Sequence, residues 1–215
     1  MTDRVNLRIN TWERPLMRAT LIVLVLTLSG CLVDRDNDGH FQFGCWGDSN
    51  TAAYWRIPQT SWCDQVAAHD PAHWSSWNGG IIGLSADLLA NVVWPTDTAY
   101  ITPATDPTLD GIVIALGTND VSEGRTPEQI IADLTFLRSQ ANDSGHRQVW
   151  IMTLPPRYDD PTFAANTDAV NAAIKTTFGS DVIDVGQEEI GPDGVHLTPA
   201  AETARANLVW SVFTH

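Results

Sequence analysis

The sequence predicts an α/β fold in which a parallel sheet is covered by helices on both faces. Short apolar runs of buried-strand type recur along the chain, the clearest being Gly111-Ile112-Val113-Ile114-Ala115-Leu116. Segments with helical apolar spacing and recognisable start signals alternate with them. The 215 residues, 43% hydrophobic and 18% charged, suit one domain with a substantial core. No internal repeat or low-complexity block interrupts the pattern.

Taken in order, residues 1–30 read as a targeting segment. Leu21 to Leu28 is an apolar run too short to span a bilayer, and Arg14 and Arg18 precede it. It ends in Leu28-Ser29-Gly30-Cys31, which resembles the lipobox of bacterial lipoproteins. That resemblance implies cleavage before Cys31, lipidation of its thiol and amine, and firm membrane attachment through several acyl chains. The other readings are an ordinary secretory signal and a short uncleaved anchor. Translation from Met17 in place of Met1 gives a tidier signal, and Leu32, where many inner-membrane lipoproteins carry Asp, points to the outer membrane.

Residues 31–39 read as an acidic, solvated tether. Within it, Asp34, Asp36 and Asp38 before Gly39 match the first half of a calcium loop. The bidentate Glu of the twelfth position is missing, and Cys45 stands there instead. Once Cys31 is set aside, Cys45 and Cys63 form an even pair in an oxidising compartment. A disulfide and two buried thiols are both open, because spacing does not show whether the Cβ atoms face each other.

The domain, residues 40–215, begins with a strand over His40–Trp46 that runs into the turn Gly47-Asp48-Ser49. A helix carrying Cys63 follows. Gly111–Leu116 is the next strand and leads into Gly117. Thr126-Pro127-Glu128-Gln129 is a helix start with a capping Thr, Pro at the first helical position and Gln at the third. Ile130, Ile131, Leu134 and Leu137 then share one face. Val149–Thr153 is a strand ended by Pro155-Pro156, and Asp181–Val185 alternates as the last. Phe163–Phe178 and Pro199–Phe213 read as helices.

Four motifs carry chemistry. Ser49 on a strand-to-helix turn is a candidate nucleophile, although Asp48 and Ser49 can equally be plain helix caps. Asp193 lies three residues before His196, near enough to orient an imidazole base. His40, His69, His73, His146 and His215 have no comparable setting. Gly83, in Asn78-Gly79-Gly80-Ile81-Ile82-Gly83, can present an unobstructed amide, and Asn119, in Gly117-Thr118-Asn119-Asp120, offers a side-chain NH2. With the Ser49 amide these make three donors for a developing oxyanion. The rival readings are a flexible glycine loop and a turn asparagine.

In this order the four stretches resemble the SGNH hydrolases, the GDSL esterase/lipase superfamily. Gly47-Asp48-Ser49 matches the nucleophile block and Asn78-x-Gly80-x-x-Gly83 the oxyanion-glycine block. Gly117-x-Asn119-Asp120 matches the oxyanion-asparagine block, and Asp193-x-x-His196 the block with acid and base. The likeness spans Phe41 to His215. Asn50 stands where the name-giving leucine would be. The resemblance implies a three-layer α/β/α sandwich of flavodoxin-like type, with no metal or organic cofactor. It also implies ester hydrolysis with Ser49, Asp193 and His196 as triad and Ser49, Gly83 and Asn119 as oxyanion hole.

Substrate is less legible. Trp46, Tyr54, Trp55, Trp62, Trp74, Trp77 and Trp94 cluster in the first half, as sugar or acyl contacts or as core packing. Arg157 reads as an exposed loop charge or as a contact for an anionic substrate group. The absence of an inserted lid favours short acyl or acetyl esters, glycan acetyl groups among them. The expected partners are that substrate and a membrane through Cys31, with the protein a monomer. A net charge of −14 argues against nucleic acid. An inactive surface lipoprotein binding glycan or calcium is the alternative. Phosphoryl transfer lacks a glycine-rich loop with Lys, since Lys175 is the one lysine.

Overall fold

The computed structural model describes residues 31–53, 61–145 and 148–215. Residues 1–30, expected to be a targeting segment, and Tyr54, Trp55 and His146 lie outside them. Five parallel strands form the sheet: β1 (Phe41–Gly47), β2 (Trp74–Gly80), β3 (Gly111–Ala115), β4 (Gln148–Met152) and β5 (Val182–Ile183). Their order is β2-β1-β3-β4-β5. This is the flavodoxin-like order, in which the chain moves one way from β1 to β2 and the other way to β3. The carboxyl end of β1 is therefore the topological switch point, where such sheets bind ligands.

Alternation along the strands builds two cores. Trp46, Ile112, Ile114, Val149 and Ile151 face one side, against Ile130, Leu134 and Leu137 of α7 (Pro127–Asp143) and Val170 and Ile174 of α8 (Pro161–Phe178). Phe43, Cys45, Val113, Trp150 and Met152 face the other, against Trp62 and Val66 of α2 (Trp62–Ala67) and Val209 and Phe213 of α9 (Pro199–Thr214). Strands buried on both faces need apolar residues at every position, hence the continuous runs. The result is the expected three-layer sandwich.

The helix starts follow local chemistry. Thr126 and Gln129 form a reciprocal capping box at α7, and Thr198 caps α9 through the Ala201 amide. α8 starts two residues ahead of the expected Phe163, because Asp160 caps the Thr162 amide and Pro161 takes the first position.

β2 is absent from the sequence reading. It is an edge strand of sequence WSSWNGG, half-buried at most positions, so no apolar run announces it. Its glycines answer to packing: a Cβ on Gly80 would stand 2.3 Å from the Ala52 amide nitrogen. β5 is shorter than Asp181–Val185, because Asp181 belongs to a 3-10 turn and Asp184 pairs with Lys175 at 2.6 Å.

Within residues 31–39, Val33 and Arg35 to Gly39 are exposed, while the start of the segment is docked on the domain. Leu32 is only 5% exposed within the second core, and its amide donates to the Phe213 carbonyl at 2.8 Å. The Val33 amide donates to Gln148 Oε1 at 2.7 Å and the Arg35 amide to Asp110 Oδ1 at 2.7 Å. The segment is thus fastened to the amino-terminal ends of β3 and β4. Cys45 and Cys63 form a disulfide between β1 and α2. Among the described residues no helix is long and apolar enough to cross a membrane.

Candidate active site

Ser49 opens α1 (Ser49–Ala52), a single turn directly beyond the end of β1. Asp48 caps it, its carboxylate accepting from the Asn50 amide at 2.8 Å. Desolvation pushes the Asp48 carboxyl up from the ordinary value, against the pull of that amide and of the Arg205 charge.

The loop from β5 to α9 carries the base. Its hairpin closes through Gly191 N–H to the His196 carbonyl at 2.7 Å and Thr198 N–H to the Glu189 carbonyl at 3.0 Å. His196 Nε2 lies 3.0 Å from Ser49 Oγ, and His196 Nδ1 lies 2.7 Å from Asp193 Oδ2. An ionised carboxylate can only accept, so Nδ1 carries the proton and Nε2 is left to accept from the serine hydroxyl. Asp193 Oδ1 also accepts the amides of Val195 at 3.1 Å and His196 at 3.0 Å. Desolvation raises the Asp193 pKa, but the His196 amide, the His196 ring and the Val195 amide outweigh it and bring the value down to about 2. The carboxylate is therefore charged wherever the imidazole works.

The two other motifs flank this pair. The Ile81 amide donates to the Gly47 carbonyl at 3.0 Å, tying the loop after β2 to the strand end that precedes Ser49. Gly83 is exposed at φ 75°, a left-handed conformation that suits glycine and leaves its amide without a side chain in front. Asn119 stands on α6 (Thr118–Ser122) after β3 and donates from Nδ2 to the Leu84 carbonyl at 2.9 Å. That bond uses one of its two amide protons. Asn119 and the Gly83 loop are thereby held together on either side of β1.

Other sequence candidates fall elsewhere. His40 Nε2 meets Ser75 Oγ at 3.1 Å, but at the amino ends of β1 and β2. His73 pairs with Asp70 at 2.9 Å, and His69 stacks on Trp210 with ring centroids 4.9 Å apart. His215 Nδ1 lies 3.2 Å from the Ser211 carbonyl. Of the aromatic cluster, Trp46, Trp62 and Trp74 are buried core, while Trp77 and Trp94 pack partly buried against it.

Arg157 corrects both readings made of it. It is 4% exposed, donates to the Thr118 carbonyl at 2.9 Å, to Ser122 and to both oxygens of Asp159, and stacks over Phe163 at 4.6 Å. The guanidinium braces α6 from within and is shielded from solvent.

The calcium-loop residues also find other work. Asp34 accepts the amides of Asn37 at 2.6 Å and Gly39 at 2.8 Å, and Asp38 that of His40 at 2.7 Å. The carboxylates that approach within 4.8 Å belong to Asp34, Asp36 and the distant Asp110, without Asp38. Asp110 in turn accepts the Arg35 and Gln42 amides, each at 2.7 Å.

Asp120, from within the Asn119 motif, and Arg205 and Glu202, outside any motif, support the site. Asp120 is fully buried and accepts the amides of Ala86 at 2.7 Å and Asp87 at 3.1 Å, which fixes the segment after Gly83. Arg205 is 2% exposed and pairs through two nitrogens with Glu188, while Glu202 accepts the Trp62 amide at 3.0 Å. Arg205 and Glu202 join elements distant in sequence, so no local pattern marks them.

Comparison with known proteins bears on the fold and the family. No curated protein matches the chain. Among solved structures, a member of the lipolytic protein G-D-S-L family from Veillonella parvula is similar at 23% identity and TM-score 0.64, covering 80% of this chain and 98% of that one. The native aryl esterase of M. smegmatis is similar at 23% identity and TM-score 0.61, covering 80% and 99%. An acetyl-xylooligosaccharide esterase from Geobacillus is similar at 18% identity and TM-score 0.62, covering 81% and 94%. At these identities they support the fold. The family is shown by the sequence itself: residues 45–204 match the GDSL-like lipase/acylhydrolase family, and they contain Ser49, Gly83, Asn119, Asp193 and His196. The chain belongs to that family of carboxylic ester hydrolases.

Proposed function

We propose that this esterase acts through an acyl-enzyme on Ser49 and takes short-chain acyl or acetyl esters. The observation that carries the mechanism is the line Asp193–His196–Ser49, with 2.7 Å and 3.0 Å between successive polar atoms. His196 Nε2 takes the Ser49 proton as Oγ attacks the ester carbonyl. The oxyanion rests on the Ser49 and Gly83 amides and the Asn119 side chain. On collapse, the alcohol leaves with the proton from His196. Water then attacks the acyl group, giving its proton to His196, and the acid departs as Ser49 is reprotonated.

A short acyl group fits an open rim in which Gly83 is solvent-exposed. The likeness to an acetyl-xylooligosaccharide esterase supports acetylated glycans as the target. Cys31, outside the disulfide, is the proposed lipidation site, which would fix the enzyme to the cell envelope, in the outer membrane. The test is Ser49→Ala: p-nitrophenyl acetate hydrolysis should vanish while the melting curve stays in place, and full turnover would assign the nucleophile elsewhere. Fluorophosphonate labelling of Ser49 would separate an enzyme from an inactive binding lipoprotein. Turnover of acetylated xylan, acetylated peptidoglycan, lysophospholipid and nitrophenyl esters would rank the substrates.

A further inference from the structure

We infer that Asn50, the residue after the nucleophile, is a positioning residue that holds the His196 ring against Ser49. Asn50 is 3% exposed, and its side chain reaches across to the loop that carries the base. Its Oδ1 accepts the Leu197 amide at 3.0 Å, and its Nδ2 points at the Val195 carbonyl at 3.5 Å. These are the residues on either side of His196. The backbone of Asn50 is held in the nucleophile turn, because its own amide donates to Asp48 at 2.8 Å. One side chain therefore joins the peptide units bordering Ser49 to those bordering His196.

The other restraints on His196 do a different job. Asp193 sits on the same loop and sets the ring's rotation and tautomer, but it cannot set how far that loop stands from Ser49. The Gly191 and Glu189 contacts close the hairpin on itself. The Ser49–His196 bond spans the gap, yet it is remade in every turnover as the proton moves. The Leu197 bond, the shorter of the two Asn50 contacts, involves no reacting atom and persists through the cycle. A leucine at position 50, as in the family's name, offers neither donor nor acceptor. This chain has instead a polar clamp between its nucleophile turn and its base loop.

The inference rests on Ser49 and His196 acting as proposed, so Ser49→Ala is run beside it. If that variant retains turnover, the underlying reading fails and the positioning role of Asn50 falls with it. With Ser49→Ala inert, Asn50→Leu should lower kcat about 10- to 100-fold with KM within about twofold, since small misplacements of reacting groups carry such factors. Should Asn50→Leu melt below the assay temperature, Asn50→Ala removes the amide without adding bulk. The decisive arm is a double-mutant cycle with His196→Ala. Without the base, the Asn50 substitution should change the residual rate by less than about twofold. An equal loss in both backgrounds, or an unchanged kcat in the single variant, overturns the proposal.

Discussion

Removal of the Cys45–Cys63 disulfide should lower stability by an amount that the loop length sets. The bond closes a loop with a sequence separation of 18 residues, and both cysteines are fully buried. In the chain-entropy description, tying a loop of that size restricts the unfolded chain by about 3 kcal/mol. In a domain of this size each kcal/mol moves the melting point by about 2–4 °C, so the Cys45→Ala/Cys63→Ala variant should melt about 6–12 °C below the wild type. The space vacated by two sulfurs inside a packed core deepens the loss. Differential scanning calorimetry at neutral pH reads this directly. Because no sulfur reaches solvent, reductant added to the folded protein should act slowly, whereas unfolding and refolding in reductant should reproduce the lower transition. A double variant melting within about 2 °C of the wild type would refute the reasoning, since a loop restraint absent from the unfolded chain cannot leave the equilibrium unmoved.

Further outcomes follow from the site. Asp193→Asn should cut kcat by roughly 10⁴-fold, the scale seen when the orienting carboxylate of a serine triad becomes an amide. The folded Asp193 pKa, about 2, lies below the ordinary 3.8, so its charge stabilises the fold fully above the ordinary value and progressively less as pH falls towards 2. The melting-point gap between wild type and Asp193→Asn should narrow over that acid range, and a constant gap would contradict the assignment. Asn119→Ala should lower kcat about 10²- to 10³-fold with little change in KM. A raised KM at unchanged kcat would make Asn119 a substrate contact instead. Arg157→Ala leaves the buried Thr118 carbonyl without its donor, and an unmet buried acceptor costs about 1–3 kcal/mol. Circular dichroism should show a melting point about 2–12 °C lower, and an unmoved one would mean the guanidinium braces nothing.

What could be read from the sequence was local. The continuous apolar runs of β3 and β4 announce strands buried on both faces, and Thr126-Pro127 with Gln129 announces a helix start whose capping box then forms. β2 gave no such notice: an edge strand buries little, and its Asn78-Gly79-Gly80 end is shaped by the approach of α1. The chemical motifs stood out because each packs its reactive groups into three to six adjacent residues. Their supports did not. Asn50 meets Val195 and Leu197, which lie 145 and 147 positions away, and Arg157 meets Thr118 across 39. Arg157 looked like a loop charge because burial of a guanidinium depends on what folds over it. The docking of residues 32–35 gave no notice for the same reason, since Leu32, Val33 and Arg35 find Phe213, Gln148 and Asp110 only once the strands and the last helix are in place.

The docking of Leu32 has a consequence for orientation. It seats Cys31 at the amino-terminal edge of the sheet, with the Cys31 carbonyl accepting from Gln148 at the start of β4, whereas Ser49 and Asn119 lie beyond the opposite edge. The seven residues of β1 span about 23 Å between those edges. Acyl chains on Cys31 would thus leave no slack to swing the molecule over. The enzyme would stand upright like a post, its mouth facing outward, with esters in the lipids beneath it beyond reach and those on polymers above it within range.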